Sequence, residues 1–342
     1  KNLENKKIND TINLYEKRDA SFIYNVCLNT MRYSIHCEKI ITAYGKKKNR
    51  FHELILLKSA ITQIVFLEFK EYAVINCTVN IAKKLNIYHG FVNALLKRVA
   101  QNKNHLSRTK IGFNELPYWF VKENKNISDR KKEEFLNNIV EEPSIHFVFK
   151  KNENLKKFEE KIFRPSNNSG FVCNSVDIEE LKSYKEGSWW IQDYSSFFPI
   201  TYLIKSVINT HKKIKAIDLC AAPGGKSFQL LNNNIVSTLN DKSKNRINIL
   251  KKNLIRLKFK TKILNKDVLK IDNSQYDLII LDAPCSSVGT IRKNPEIFFK
   301  SKAPYLNNLL DLQSKMLTKA ASLLKNNGII IYMVCSFLEK ET

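Results

Sequence analysis

Asp218-Leu-Cys-Ala-Ala-Pro-Gly-Gly-Lys226 closes the apolar run Lys215–Leu219. A short buried strand that ends in small residues and two glycines, just ahead of a helical stretch, lets backbone approach a ligand where a helix begins. The segment is not a phosphate-binding P-loop, because the first Gly of that pattern would fall at Cys220. Nor does it read Gly-x-Gly-x-x-Gly, which disfavours a dinucleotide. Outward from it, Ile235–Leu239, Tyr276–Leu281 and Ile329–Val334 are further short runs rich in Ile, Leu and Val. They have the character of strands buried on both faces of a parallel sheet. Helical stretches at Lys244–Leu257 and Leu309–Lys325 separate them, the second stopping at Asn326-Asn327-Gly328. This alternation predicts a doubly wound α/β domain.

In such a sheet ligands bind beyond the carboxyl ends of the strands. Asp218, Asp241, Asp267 and Asp282 stand at four successive strand ends, and the expectation is that they line one crevice. One such acid means little, since Asp often caps the next helix. Asn240-Asp241 is where an acid commonly takes ribose hydroxyls. Cys285, in Asp282-Ala-Pro-Cys-Ser-Ser-Val-Gly, and Cys335, in Cys335-Ser336, leave the sheet at the same edge. Cys27, Cys37, Cys77, Cys173 and Cys220 are read instead as small packing residues, the commoner role of a free cysteine.

Before Trp189 the pattern differs. Val74, Cys77, Ile81 and Leu85, and then Val92, Leu95, Leu96 and Val99, keep helical spacing, and Phe51–Phe69 is apolar nearly all round. The expected division is a helical domain over 1–125, a small connecting α+β subdomain over 126–188 and the α/β domain over 189–342. The 57 Lys+Arg against 33 Asp+Glu give a net charge of +24, a field that attracts polyanions. Lys83, Lys84, Lys97, Arg98, Lys103, Arg108 and Lys110 form a candidate phosphate-contacting surface, although each alone reads as a solvated lysine-rich face. The seven scattered cysteines contain no Cys-x-x-Cys, which argues against a zinc site or disulfide framework and for a reducing cytoplasm. No run approaches the ~18 apolar residues of a membrane helix.

The Asp218–Lys226 segment, Leu281-Asp-Ala-Pro-Cys-Ser-Ser-Val-Gly289 and Cys335-Ser336, in this order, resemble the signatures of the Sun-type (Fmu/Nop-related) RNA cytosine-5 methyltransferases. Phe91-Val-Asn-Ala-Leu-Leu-Lys-Arg98 resembles part of the NusB-like helical domain of the member that modifies small-subunit ribosomal RNA. Trp190-Ile-Gln-Asp-Tyr-Ser-Ser196 is similar to the lead into the catalytic domain. The resemblance implies a Rossmann-like methyltransferase domain after an all-α NusB-like domain, with S-adenosylmethionine as cofactor, RNA as partner, no metal, no membrane and a monomer.

It further implies that Cys335 attacks carbon 6 of the cytosine, that Cys285 assists proton loss and release, and that Asp282 hydrogen-bonds the base. Cys220, Ala221, Ala222, Pro223, Gly224, Gly225 and Lys226 would cradle the methionine part of the cofactor, Asp241 its ribose and Asp267 its adenine, with Asp282 bordering the same pocket. A positive sulfonium suits carboxylates. The chain departs from the family at Val334, Lys293-Asn294 and Glu339-Lys340-Glu341. It starts at Lys1 and ends at Thr342, where family members continue, and is expected to be truncated. The competing readings are a DNA cytosine-5 methyltransferase, a non-catalytic RNA-binding or assembly protein, and a NusB-like transcription factor. The second cysteine speaks against the first, retention of Cys285, Cys335 and Asp282 against the second, and the length of chain beyond the helices against the third.

Overall fold

The computed structural model describes residues 15–45, 50–156, 158, 160, 162–172, 177–208, 213–272, 274–299 and 306–342. These fall into two compact units, the chain up to Glu142 with the segment from Ser287 to residue 304, and Pro143–Ser286 with the chain from residue 305 on. The 126–188 stretch is therefore shared between them.

The first unit is helical. Helices α1 (Lys17–Arg32), α2 (Ser34–Tyr44), α3 (Phe51–Ile61), α4 (Glu71–Lys84) and α5 (His89–Gln101) enclose a core of Cys37, Ile40, Ile41, Leu57, Ile61, Ile64, Val92, Leu96 and Val99. The predicted α5 face, Val92, Leu95, Leu96 and Val99, is the buried one. In α4 the buried face is instead Val74, Ile75, Thr78 and Ala82, while Cys77, Ile81 and Leu85 are exposed. Thr78 fits that face because its hydroxyl donates to the Val74 carbonyl at 2.7 Å. The run from Phe51 is buried at Leu57, Ala60 and Ile61 and continues into a π turn at Thr62–Phe66, but Phe51 and Ile55 are exposed. Two further helices, α6 (Tyr118–Glu123) and α7 (Asp129–Asn138), meet through Phe120 and Phe135, stacked 5.1 Å apart. The segment after Ser287 belongs here: Phe298 packs edge-on to Phe120, and the Arg32 guanidinium donates to the Arg292 carbonyl at 3.0 Å. Of the basic residues singled out, Lys83, Lys84, Lys97, Arg98, Arg108 and Lys110 are exposed, and Lys103 pairs with Glu71.

The second unit contains two sheets. Strands β1 (Ile145–Phe149), β2 (Ile162–Ser166), β3 (Ser169–Val172) and β4 (Trp189–Ile191) form an antiparallel sheet in the order β2-β3-β1-β4. Helix α8 (Tyr194–Tyr202) leads to β5 (Lys215–Asp218), α9 (Gly225–Asn232), β6 (Val236–Asn240), α10 (Lys244–Arg256), β7 (Lys262–Leu264), β8 (Tyr276–Asp282), α11 (Leu306–Ser322) and β9 (Leu324–Met333). These five strands are all parallel, in the order β7-β6-β5-β8-β9. The turn expected at Asn326-Asn327-Gly328 lies inside β9: Tyr276 pairs with Leu324 and Leu278 with Ile329, so the intervening residues bulge out. Asn327 takes a left-handed φ of 62° there.

A chain of buried amides joins the small sheet to α9. The Trp190 indole donates to Gln192 Oε1 (2.9 Å), the Gln192 amide to Gln229 Oε1 (2.7 Å), and the Gln229 amide to the Phe197 carbonyl (3.0 Å). At the other end of β4, Gly187 has φ +69°, and a Cβ there would stand 1.8 Å from the Arg256 carbonyl oxygen. The Arg256 guanidinium in turn donates to the Tyr184 and Trp189 carbonyls, each at 3.1 Å. Gly187→Ala combines a left-handed Ala with a backbone clash and is expected to destabilise this unit by roughly 2 kcal/mol or more, read as a lowered denaturant midpoint.

Candidate active site

The strand order reverses between β5 and β8, since β6 lies on one side of β5 and β8 on the other. A crevice opens beyond the strand ends at such a reversal. The turn after β5 is held from within. Buried Asp218 accepts from the Cys220 N–H (3.3 Å) and the Ser227 hydroxyl (2.6 Å). It therefore ties β5 to α9 and does not line a crevice, which corrects the expectation of four crevice acids. Burial, above all, pushes its carboxyl up to about 6, opposed by the Ser227 hydroxyl and the Lys226 ammonium. Burial also pushes the Cys220 thiol up to about 12, with Asp218, Asp241 and Asp282 adding to the effect. That is a poor nucleophile.

Both glycines of the turn answer to packing inside the protein. Gly224 has φ +124°, and a Cβ on it would run into the Phe228 ring; one on Gly225 would press on Gln192 at 3.2 Å. The Ala222-Pro223 peptide is cis. Ala222 donates from its N–H to Asp241 Oδ2 (3.3 Å) and accepts from Arg246. Asn240, the neighbour of Asp241, holds the strand ends as firmly. Its amide donates to the Leu219 and Lys266 carbonyls (2.9 and 3.1 Å) and accepts from the Lys266 N–H (3.0 Å), clamping the ends of β5, β6 and β7. An Asn at a strand end was the available signal.

Three carboxylates have basic partners. Asp282 meets Lys226 at 2.6 Å, Asp241 meets Arg246 at 3.4 Å, and Asp267 meets Lys242 at 2.8 Å. Asp267 also caps the turn that follows by accepting from the Leu269 N–H (3.1 Å), and Lys242 holds its carboxyl below the usual carboxylate range. Asp241 is buried and accepts from the Ser243 N–H as well (2.9 Å). The edge is thus largely neutralised and does not present bare negative charge.

Beyond β8 and β9 the structure brings Cys285 and Cys335 together, Sγ to Sγ 3.2 Å. Cys335 is exposed and Cys285 half-buried. Glu341, noticed in the sequence only as part of a departure, is buried beneath them and accepts from the Ser286 N–H at 2.8 Å. Cys27 is half-buried, Cys37 buried and Cys77 exposed, so the packing role expected of all three holds fully only for Cys37; Cys173 lies outside the described residues. Among the described residues no group of three or more His, Cys, Asp or Glu is arranged to hold a metal ion, and no helix is long and apolar enough to cross a membrane.

A parallel sheet in this order, with a small-residue turn after its first strand and acids at the strand ends, is the Rossmann-like fold of S-adenosylmethionine-dependent methyltransferases. Residues 205–342 match the family described as 16S rRNA methyltransferase RsmB/F, and residues 1–101 match the NusB family. The chain is therefore a NusB-family domain joined to an RsmB/F-type methyltransferase domain. It is 28% identical to the probable ribosomal RNA small subunit methyltransferase B of Coxiella burnetii, over 95% of this chain and 81% of that protein. To the ribosomal RNA small subunit methyltransferase B of Shewanella oneidensis it is 25% identical, over 95% of this chain and 79% of the relative. The crystal structure of PH0851 shares the fold, with a TM-score of 0.70 at 21% identity over 95% of this chain and 79% of that one.

Asp218 generates a pH test. A folded carboxyl that keeps its proton to about 6, against 3.8 as reference, makes the native state the better proton binder between those values. Stability contributed by the protonated form is then lost as pH rises through that window, by an amount of up to roughly 3 kcal/mol. Asp218→Asn should flatten this slope, read from unfolding midpoints between pH 4 and 7.

Proposed function

We propose that the protein transfers a methyl group from S-adenosylmethionine to carbon 5 of a cytosine in RNA, specifically small-subunit (16S) ribosomal RNA, through a covalent cysteine–cytosine intermediate. The observation that carries this reading is the 3.2 Å approach of the Cys285 and Cys335 thiols beside the Asp282 strand end. The substrate class is that of the relatives, which are ribosomal RNA small subunit methyltransferases. A ribosomal substrate puts the reaction in the cytoplasm.

Carbon 5 of cytosine is a poor nucleophile. Addition of the Cys335 thiolate to carbon 6 breaks the 5,6 double bond and pushes its electrons toward N3, leaving carbon 5 enamine-like. A proton shared between the Asp282 carboxyl group and N3 makes the hydrogen bond that holds the charge there, and Lys226, 2.6 Å from that carboxyl group, steadies it. When bound, S-adenosylmethionine supplies an electrophilic methyl group on a positive sulfur. Once carbon 5 carries the methyl group, Cys285 takes its remaining proton, and that electron pair reforms the 5,6 double bond and expels Cys335 as thiolate. The target base has to be unpaired or flipped to reach these groups. The exposed bases of the helical unit, among them Lys83, Lys84, Lys97 and Arg98, contact RNA phosphates.

The donor set fits the cofactor. The turn Cys220–Lys226 would hold its methionine part, Asp241 the ribose hydroxyls and Asp267 the adenine amino group, next to Asp282. Asp241 and Asp267 are engaged by Arg246 and Lys242, whose side chains are 52% and 77% exposed. The exposed Asp267–Lys242 pair contributes about 0–1 kcal/mol, so a ligand can replace Lys242 at little cost, whereas Asp241 is itself buried.

RNA containing 5-azacytidine tests the chemistry. Wild type is expected to form a denaturant-resistant adduct, Cys335→Ala to form none, and Cys285→Ala to keep it or to trap ordinary RNA. The reverse pattern would exchange the two roles. Absence of both adduct and methyl transfer in wild type would favour an RNA-binding protein without catalysis.

A further inference from the structure

Cys285 and Cys335 stand on separate strand ends, and each is followed by a serine. Those serines converge on one buried carboxylate. Glu341 accepts from both the N–H and the hydroxyl of Ser286, the N–H at 2.8 Å, and from the Gln313 amide at 3.1 Å. The Ser336 hydroxyl joins the group, 3.1 Å from that of Ser286 and hydrogen-bonded to the same carboxylate. Gln313, buried on α11, donates as well to the Pro284 carbonyl at 2.9 Å. The backbone is therefore pinned on both sides of Cys285, at Pro284 and Ser286, and immediately after Cys335. The turn that brings Glu341 back is closed by the Leu338 N–H on Ser336 Oγ (3.2 Å) and the Glu341 N–H on the Leu338 carbonyl (2.9 Å).

We propose that Glu341 is a positioning residue which, through Ser286, Ser336 and Gln313, sets the distance between the Cys285 and Cys335 thiols. This rests on the roles given to those cysteines above, but the spacing itself can be measured without them. Burial alone would raise the Glu341 carboxyl; the hydrogen bonds from Ser286, Ser336 and Gln313 outweigh it and hold the group below the usual carboxylate range. It is thus an anion that only accepts, which suits a hub with several donors around it. A partly satisfied buried network would lose its geometry as a unit. Removing the carboxylate frees two segments at once, and thiols on two strand ends that need contact to cooperate would drift apart.

The test is a thiol ruler on the full chain. Diamide takes up the two thiol hydrogens as a disulfide forms, and peptide mapping by mass spectrometry reads the Cys285–Cys335 product, normalised to the maleimide reactivity of each thiol. Glu341→Ala is expected to slow this cross-link at least tenfold, with Glu341→Gln falling between it and wild type because one oxygen still accepts from Ser286. In single-turnover methyl transfer the same order should appear in the rate, with KM for S-adenosylmethionine unchanged. A wild-type cross-linking rate in folded Glu341→Ala would overturn the proposal. If that variant does not fold, Ser336→Ala and Gln313→Ala, which each remove one spoke, decide it: slowing in either supports the hub, and wild-type rates in both overturn it. A wild type that neither methylates RNA nor forms the azacytidine adduct would remove the catalytic reading and leave the ruler result standing.

Discussion

Everything chemical in this protein depends on β5 being hydrogen-bonded to β6 along one side and to β8 along the other, all in the same direction. Parallel pairing brings the carboxyl ends of the strands to one edge. The reversal of order at β5 and β8 keeps the connecting helices from closing over that edge. Residues as far apart in sequence as Asp218 and Cys335 therefore share a neighbourhood. The turn after β5, the Asp282-Ala-Pro-Cys285 loop after β8 and the Cys335-Ser336 turn after β9 all leave the sheet there.

The edge uses two kinds of polar group. Asp218, Asn240 and Glu341 are buried and satisfied by several donors or acceptors, so they fix backbone. Removing a partner from such a group leaves the other unpaired in low dielectric, which is costly. Asp241, Asp267 and Asp282 carry ion pairs to bases that are in part exposed. Of these only Asp267–Lys242 is an exposed pair and cheap to rearrange; Asp241 is buried and also accepts from backbone N–H groups, and Lys226 is largely buried. The contrast separates the frame of the site from the part that can answer a ligand, and it revises the simple picture of a sulfonium attracted by a row of bare carboxylates.

Legibility in the sequence followed periodicity. The strands of the parallel sheet and the α5 face were readable because burial on both faces of a sheet, or on one face of a helix, imposes a local pattern. The α4 face was not. Val74, Thr78 and Ala82 keep helical spacing as well as Val74, Cys77, Ile81 and Leu85 do, and a threonine that bonds to its own helix passes as apolar. In the sequence the glycines at 224 and 225 read as room for a ligand, but what requires them is Phe228 and Gln192 packed against the turn. Asp218 looked like its neighbours at strand ends, and only its burial distinguishes it.

By itself the sequence determined the fold class, the strand ends and the residue types standing there, because those follow from hydrophobic period and from the order of motifs along the chain. Which of those residues meet was decided by the tertiary structure. The pairing of β8 with β9 sets two thiols 50 positions apart in contact, and a return of the chain after Ser336 puts a carboxylate beneath them. Such meetings depend on strand register and on a turn closing back, and neither leaves a periodic trace in a single sequence.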